Sequence, residues 1–121
     1  ISVVDEQANF LGGMIMPGVR SSLEALAGKT AQLPHISLEG CRRVIGKNTV
    51  ECMQSGILNG HAAMVDGLIR RLKKELDKEA KAVATGGFSR LITPRCEESI
   101  LLEENLILKG LYCLYQKNKK N

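Results

Sequence analysis

The sequence predicts an α/β protein, on three observations. A β-branched start, Ile1-Ser2-Val3-Val4, is followed by a short polar turn and a second apolar stretch. A long segment from Asn48 repeats apolar residues at helical spacing. Beyond it, strand-like and helix-like stretches alternate to the end of the chain.

The 121 residues suffice for one domain with one core, and the 44% hydrophobic and 25% charged composition is that of an ordinary globular chain. Aromatics make up 3% and Trp is absent, which argues against a base-stacking platform for nucleic acid. The net charge of +4 is concentrated in Arg70, Arg71, Lys73, Lys74 and Lys78, and in Lys117, Lys119 and Lys120. A solvated helix face and a basic tail account for both runs. Four cysteines, Cys41, Cys52, Cys96 and Cys113, form no Cys-x-x-Cys pair, so free thiols are expected. His35 and His61 stand at no metal-ligand spacing. No apolar run reaches about 18 residues, and no leader pattern opens the chain, so neither a membrane span nor a secretory signal is read. The first residue is not Met and Ile1–Val4 reads as mid-strand, so a start further upstream is expected.

The elements follow in order. Ile1–Val4 and Phe10–Met16 pair as a hairpin around Asp5–Asn9, with Gly12-Gly13 marking a bulge or a close backbone approach. Pro17-Gly18 ends it. Val19, Leu23 and Leu26 give a helix to Ala27, with Gly28 as its C-cap. Residues 30–43 read as loop, with a short strand around Ile36–Leu38. Asn48 caps the long helix, and Glu51 completes a capping box. Its apolar stripe is Val50, Met53, Ile57, Met64, Leu68, Leu72 and Leu76. A second stripe of small residues, Gly56, Gly60, Ala63 and Gly67, predicts a close partner helix, from either the same chain or a second subunit. Lys81–Thr85 is a strand, Gly86-Gly87 turns into a short helix through Ile92, and Thr93-Pro94 breaks it. Ser99–Leu102 is a further short strand. Leu106, Leu108, Leu111, Leu114 and Tyr115 give a final amphipathic helix.

Few residues invite chemistry on their own. Asp occurs only at Asp5, Asp66 and Asp77, the last two expected on the exposed side of the long helix. None pairs with a His or a second carboxylate at catalytic spacing. No Ser-His-Asp set or Gly-x-Ser-x-Gly elbow is present. Gly46-Lys47-Asn48-Thr49 looks like a phosphate loop but fails it: Cys41 stands where the pattern needs its first Gly, and Asn48 fills the Ser/Thr place. What remains is a helix start with free N–H groups, either a plain cap or a partner for an anion or hydroxyl. Val83-Ala84-Thr85-Gly86-Gly87 is either a tight strand-to-helix turn or a bare backbone against which a nucleotide lies.

Four phrases in fixed order carry a resemblance: Gly12-Gly13-Met14-Ile15-Met16-Pro17-Gly18, Lys29-Thr30-Ala31-Gln32-Leu33-Pro34, Ile45-Gly46-Lys47-Asn48-Thr49 and Ala84-Thr85-Gly86-Gly87. With Gln54-Ser55-Gly56-Ile57, Val65-Asp66-Gly67 and Leu106-Ile107-Leu108-Lys109-Gly110-Leu111, the chain resembles the C-terminal half of type III pantothenate kinases over nearly its whole length. The resemblance implies the actin-like, acetate and sugar kinase (ribonuclease H-like) superfold, a mixed sheet with flanking helices. Residues 1–121 would be a C-terminal kinase domain fragment lacking the N-terminal half and this half's first strand. It implies ATP-dependent phosphorylation of pantothenate to 4'-phosphopantothenate, the first step of coenzyme A synthesis, in the cytoplasm. Mg²⁺ would sit on the phosphates, and a monovalent cation, K⁺ or NH₄⁺, would be held mainly by upstream ligands.

By the same resemblance, Thr49 matches a threonine that contacts pantothenate from the neighbouring subunit, which implies a homodimer. Gly86 and Gly87 match adenosine-side glycines, and Gly12 and Gly13 a strand near the substrate pocket. The family's general-base aspartate, its Asp-x-Gly-Thr stretch and its N-terminal phosphate loop have no counterpart here, so the isolated chain is expected to be inactive. Where this chain has Ala8-Asn9, the family's hairpin turn usually has Gly; Asn9 would tolerate the positive φ. Relatives also carry a Bvg accessory factor-type transcriptional activator label. A non-catalytic dimerisation or nucleic-acid-binding module is therefore the alternative expectation, resting on the basic stretch and the small-residue stripe.

Overall fold

The computed structural model describes residues 1–29 and 36–119, and the chain divides into two compact units, Ile1–Leu33 and Pro34–Asn121. The phrase at Lys29–Pro34 and His35 therefore fall almost wholly outside the described residues.

The first unit is a hairpin and a helix. β1 (Ser2–Val4) and β2 (Phe10–Gly13) pair antiparallel. The register runs Ser2 to Gly13, Val3 to Gly12, then Val4 to Phe10, so Leu11 is the extra residue of a bulge. Asp5 builds the turn. Its carboxylate accepts the N–H groups of Gln7 (3.0 Å) and Asn9 (2.7 Å) and the Asn9 side-chain amide (2.8 Å). Ala8, not Asn9, takes the left-handed conformation, at φ 65°. Both glycines of β2 are dictated by geometry. Gly12 lies at φ 133°, and a Cβ on Gly13 would stand 2.1 Å from the Ile1 carbonyl oxygen. β2 ends at Gly13, short of the expected Met16, although Met14 still exchanges two backbone bonds with Ile1. α1 (Val19–Lys29) runs through Gly28, which is an interior helix residue and not the expected C-cap.

The second unit is organised on α2 (Thr49–Leu76), 28 residues long. Its buried face is Met53, Ser55, Ile57, Leu58, Ala62 and Asp66, a helical stripe with Leu58 fully enclosed. α3 (Ser89–Ile92) and the 3-10 turn Thr93–Arg95 pack against α2. Ile92 supplies the facing apolar side chain and Leu38 another from the preceding loop. Residues 36–38 form no strand; Leu38 is buried as part of an irregular strap. α2 ends at Asp77 in the left-handed conformation, its N–H bonded to the Lys73 and Lys74 carbonyls.

β3 (Ala82–Ala84) and β4 (Ile100–Leu102) pair in parallel, in register Ala82 to Ile100. The strands thus form two separate two-stranded sheets, one antiparallel and one parallel, where a single mixed sheet was expected. α4 (Leu106–Lys119) closes the chain with its apolar residues exposed, Leu108 at 64% and Leu111 at 58%. No helix among the described residues is long and apolar enough to cross a membrane.

The small-residue stripe is open: Gly56, Gly60 and Ala63 are exposed, and a Cβ at Gly56 or Gly60 would meet nothing within 4 Å. Among the described residues of the second unit, no other helix covers that face.

Candidate functional site

Two places gather the residues singled out from the sequence in the second unit. The first is the start of α2. Asn48 is extended and its side-chain oxygen accepts the Glu51 N–H at 2.9 Å. Glu51 reaches back to the Lys47 N–H at 2.8 Å, one residue before the cap, so the capping box closes on Lys47 instead of on Asn48 itself. Gly46 lies against the helix backbone; a Cβ there would stand 2.4 Å from the Cys52 nitrogen. Only glycine permits this approach. Thr49, the first helical residue, is exposed, and among the described residues no hydrogen bond occupies its hydroxyl. The site is therefore a rigidly capped helix start with one hydroxyl facing solvent.

The strap from Ile36 to Asn48 sets this geometry. Gln54 donates its side-chain amide to the carbonyls of Ser37 (2.6 Å) and Glu39 (3.3 Å). Ser55 donates its hydroxyl to the Val44 carbonyl and receives the Asn59 amide at 3.0 Å. Arg95 donates to the carbonyls of Leu91 (2.5 Å) and Cys41 (2.7 Å).

The second place is the carboxyl end of the parallel pair. In α/β sheets ligands settle outside the carboxyl ends of parallel strands. There β3 runs into Thr85-Gly86-Gly87, with Gly86 at φ 97° and both glycines exposed. The ladder extends one step further through the Glu103 N–H to the Ala84 carbonyl at 2.9 Å. The Ser89 N–H closes the turn on the Gly86 carbonyl at 3.1 Å. Two ion pairs flank it, Arg90 with Glu104 and Lys109 with Glu103. The Lys109 ammonium holds the Glu103 carboxyl below its ordinary range, and the Arg90 guanidinium does the same for Glu104.

Gly12 and Gly13 belong to the first unit, where backbone geometry accounts for each.

Asp66 is a correction. Expected on the exposed side of the helix, it is 3% exposed and accepts the backbone N–H groups of Glu97 (2.8 Å) and Glu98 (3.0 Å). Its signal was available: Asp66 lies four residues after Ala62 and eight after Leu58, on the buried stripe. Burial first, and then the nearby Asp66 charge, push the Cys96 thiol up to about 11. Asp77 stays exposed at the helix end. No sequence signal pointed to Arg95, whose partner in the strap is 54 residues away.

Two residues of the basic stretch pair with carboxylates of the same chain. Arg70 pairs with Glu97 and Glu98, and Lys73 with Glu79 and Glu98. These pairs raise the Lys73 ammonium above its usual value, the Glu98 hydrogen bond contributing most.

A parallel strand pair ending in an exposed glycine turn, with a long helix that starts on an Asn48 cap, defines a mixed α/β protein. Residues 1–71 match the family model described as type III pantothenate kinase, more than half of the 121 residues. The chain belongs to the type III pantothenate kinase family. The match includes Gly12, Gly13, Thr49 and Asp66; Gly86, Gly87 and α4 lie beyond it.

Proposed function

We propose that this chain is part of an ATP-dependent pantothenate kinase, phosphorylating pantothenate to 4'-phosphopantothenate in coenzyme A synthesis in the cytoplasm. The observation that carries this reading is the family match over residues 1–71. In it, Thr49 offers its hydroxyl to pantothenate in the neighbouring subunit's site, from a helix start held by the Asn48 cap on the Glu51 N–H. The exposed Gly86-Gly87 turn receives the adenosine side of ATP, and the strand of Gly12 and Gly13 borders the substrate pocket. The exposed Gly56, Gly60 and Ala63 face supports a homodimer.

The actin-like superfold is part of the same reading, supported by the parallel pair and its strand-end turn. The chemistry is in-line phosphoryl transfer, in which the protein positions the reactants and stabilises charge. The general base is assigned outside this chain, because each of its aspartates has another task. Asp5 holds the hairpin turn, Asp66 is buried on two backbone N–H groups, and Asp77 ends α2. Among the described residues no three His, Cys, Asp or Glu side chains gather around a metal position. In this reading Mg²⁺ lies on the phosphates and a monovalent cation, K⁺ or NH₄⁺, is held mainly by upstream residues. The isolated chain is inactive in this reading.

The test is pantothenate-dependent ADP release by the protein carrying its catalytic half, wild type against Thr49→Ala. Losing one hydrogen bond raises the pantothenate KM roughly 2- to 10-fold. A folded wild-type protein that turns over no pantothenate refutes the proposal.

A further inference from the structure

The strap between Ile36 and Asn48 has no regular structure, and ordering each backbone residue costs about 1–2 kcal/mol. Leu38 is its one buried apolar side chain, while Val44 and Ile45 are more than 70% exposed. Hydrogen bonds must therefore hold it. Gln54 fastens the first part, at Ser37 and Glu39. Ser55 and the Glu51 cap fasten the last part, at Val44 and Lys47. Between them the chain turns at Gly40, with φ 85°. There the fastening to another element, among the described residues, is the Arg95 guanidinium on the Cys41 carbonyl.

Arg95 suits this task. It sits at the end of the 3-10 turn, which packs against α2, and its other nitrogen holds the Leu91 carbonyl. Both partners are carbonyl oxygens, so the planar fork serves as a clamp of fixed geometry. The clamp closes a frame: α2, the 3-10 turn, the strap and back to the α2 start. Gly46 lies against Glu51 and Cys52 where that frame returns to α2.

We propose that Arg95 is a positioning residue for the phosphate acceptor: by clamping Cys41 it holds the strap down and so fixes Thr49 where pantothenate is received. The inference rests on the proposed role of Thr49. Releasing the clamp frees residues 40–43, between the Gln54 and Ser55 fastenings, and loosens the strap that leads into the first turn of α2. The cost falls on pantothenate binding and not on the chemical step.

Two measurements test it. Cys41 alkylation, mapped by mass spectrometry on the folded chain, reads the strap directly, with Cys113 on α4 as internal control. In Arg95→Ala, Cys41 reacts faster, by roughly 10-fold for a broken charged hydrogen bond. Arg95→Lys keeps the charge but cannot span two carbonyls, so it behaves like Arg95→Ala. Gln54→Ala, which leaves the α2 core intact, shifts Cys41 in the same direction if Arg95→Ala fails to fold.

The second measurement is pantothenate kinetics in the protein with its catalytic half. KM rises by about 10-fold with kcat nearly unchanged. Unchanged Cys41 reactivity in the Arg95 and Gln54 variants overturns the clamp. So does full rescue by Arg95→Lys, which would mean that the charge alone matters. Faster Cys41 alkylation with an unaltered KM overturns the positioning role and leaves the kinase reading standing. A wild-type protein without pantothenate turnover overturns the kinase reading and the positioning role with it, whatever Cys41 reports.

Discussion

Asp66→Ala tests how the second unit is held together. The Asp66 carboxylate is 3% exposed and takes the Glu97 and Glu98 N–H groups at 2.8 and 3.0 Å. Hydrogen bonds to a charged group contribute about 1.5–3 kcal/mol each, so the gross loss is roughly 3–6 kcal/mol. Glu97 is exposed and water can replace its partner, whereas Glu98 is half-buried and its N–H would be stranded. The net expectation is about 2–4 kcal/mol, a large share of the ~5–15 kcal/mol typical of a domain. With a urea slope of about 1–3 kcal/mol/M, the unfolding midpoint falls by roughly 1–2 M. Far-UV circular dichroism against urea measures it. Asp66→Asn keeps one acceptor and loses less. A midpoint shift below about 0.3 M in Asp66→Ala would refute the role, because a carboxylate holding two amides cannot be removed so cheaply. The loss would spread, since Glu98 also pairs with Lys73 and leads into β4.

Two glycine variants should move in opposite directions. Gly46→Ala places a methyl 2.4 Å from the Cys52 nitrogen and should destabilise by at least about 1–3 kcal/mol, read as a lower thermal midpoint. Gly60→Ala has nothing within 4 Å and should stabilise the monomer by up to about 1 kcal/mol through helix propensity. Gly60→Leu should instead weaken a dimer built on that face, which sedimentation would show as dissociation. Cys96 gives a pH test. Its thiol rises from 9.0 to about 11 in the folded state, so between those values the unfolded chain loses a proton that the folded chain keeps. Stability from this group is complete below about pH 9 and falls as pH rises towards 11, and Cys96→Ala should remove that slope. Alkylation of Cys96 near pH 9 should lag behind the exposed Cys52 and Cys113.

Much of the local structure was legible. The Asn48 cap, the hairpin turn at Asp5–Asn9, the break at Thr93-Pro94 and the strand running into Gly86-Gly87 all depend on neighbours within a few residues. Their signals are short-range hydrogen bonds and forbidden backbone angles, which the sequence carries position by position. The Thr49 helix start was readable for the same reason. The errors came where a second element had to decide. Gly28 reads as a cap, yet α1 continues through it. The stripe assigned to α2 omitted Leu58, its most deeply buried residue, because several helical faces carry apolar residues.

The sequence alone determined most element types, though not the strand read at 36–38, and the capped helix start, because each rests on contacts between near neighbours. Tertiary structure decided the rest. It turned Asp66 inward to two amides thirty-odd residues away, and it set Arg95 across to Cys41. It paired β3 with β4 in parallel and left the small-residue face of α2 and the apolar residues of α4 open. A helical stripe or a strand pattern names what an element needs to bury or bond. Which element meets that need is fixed only by how the chain closes in three dimensions.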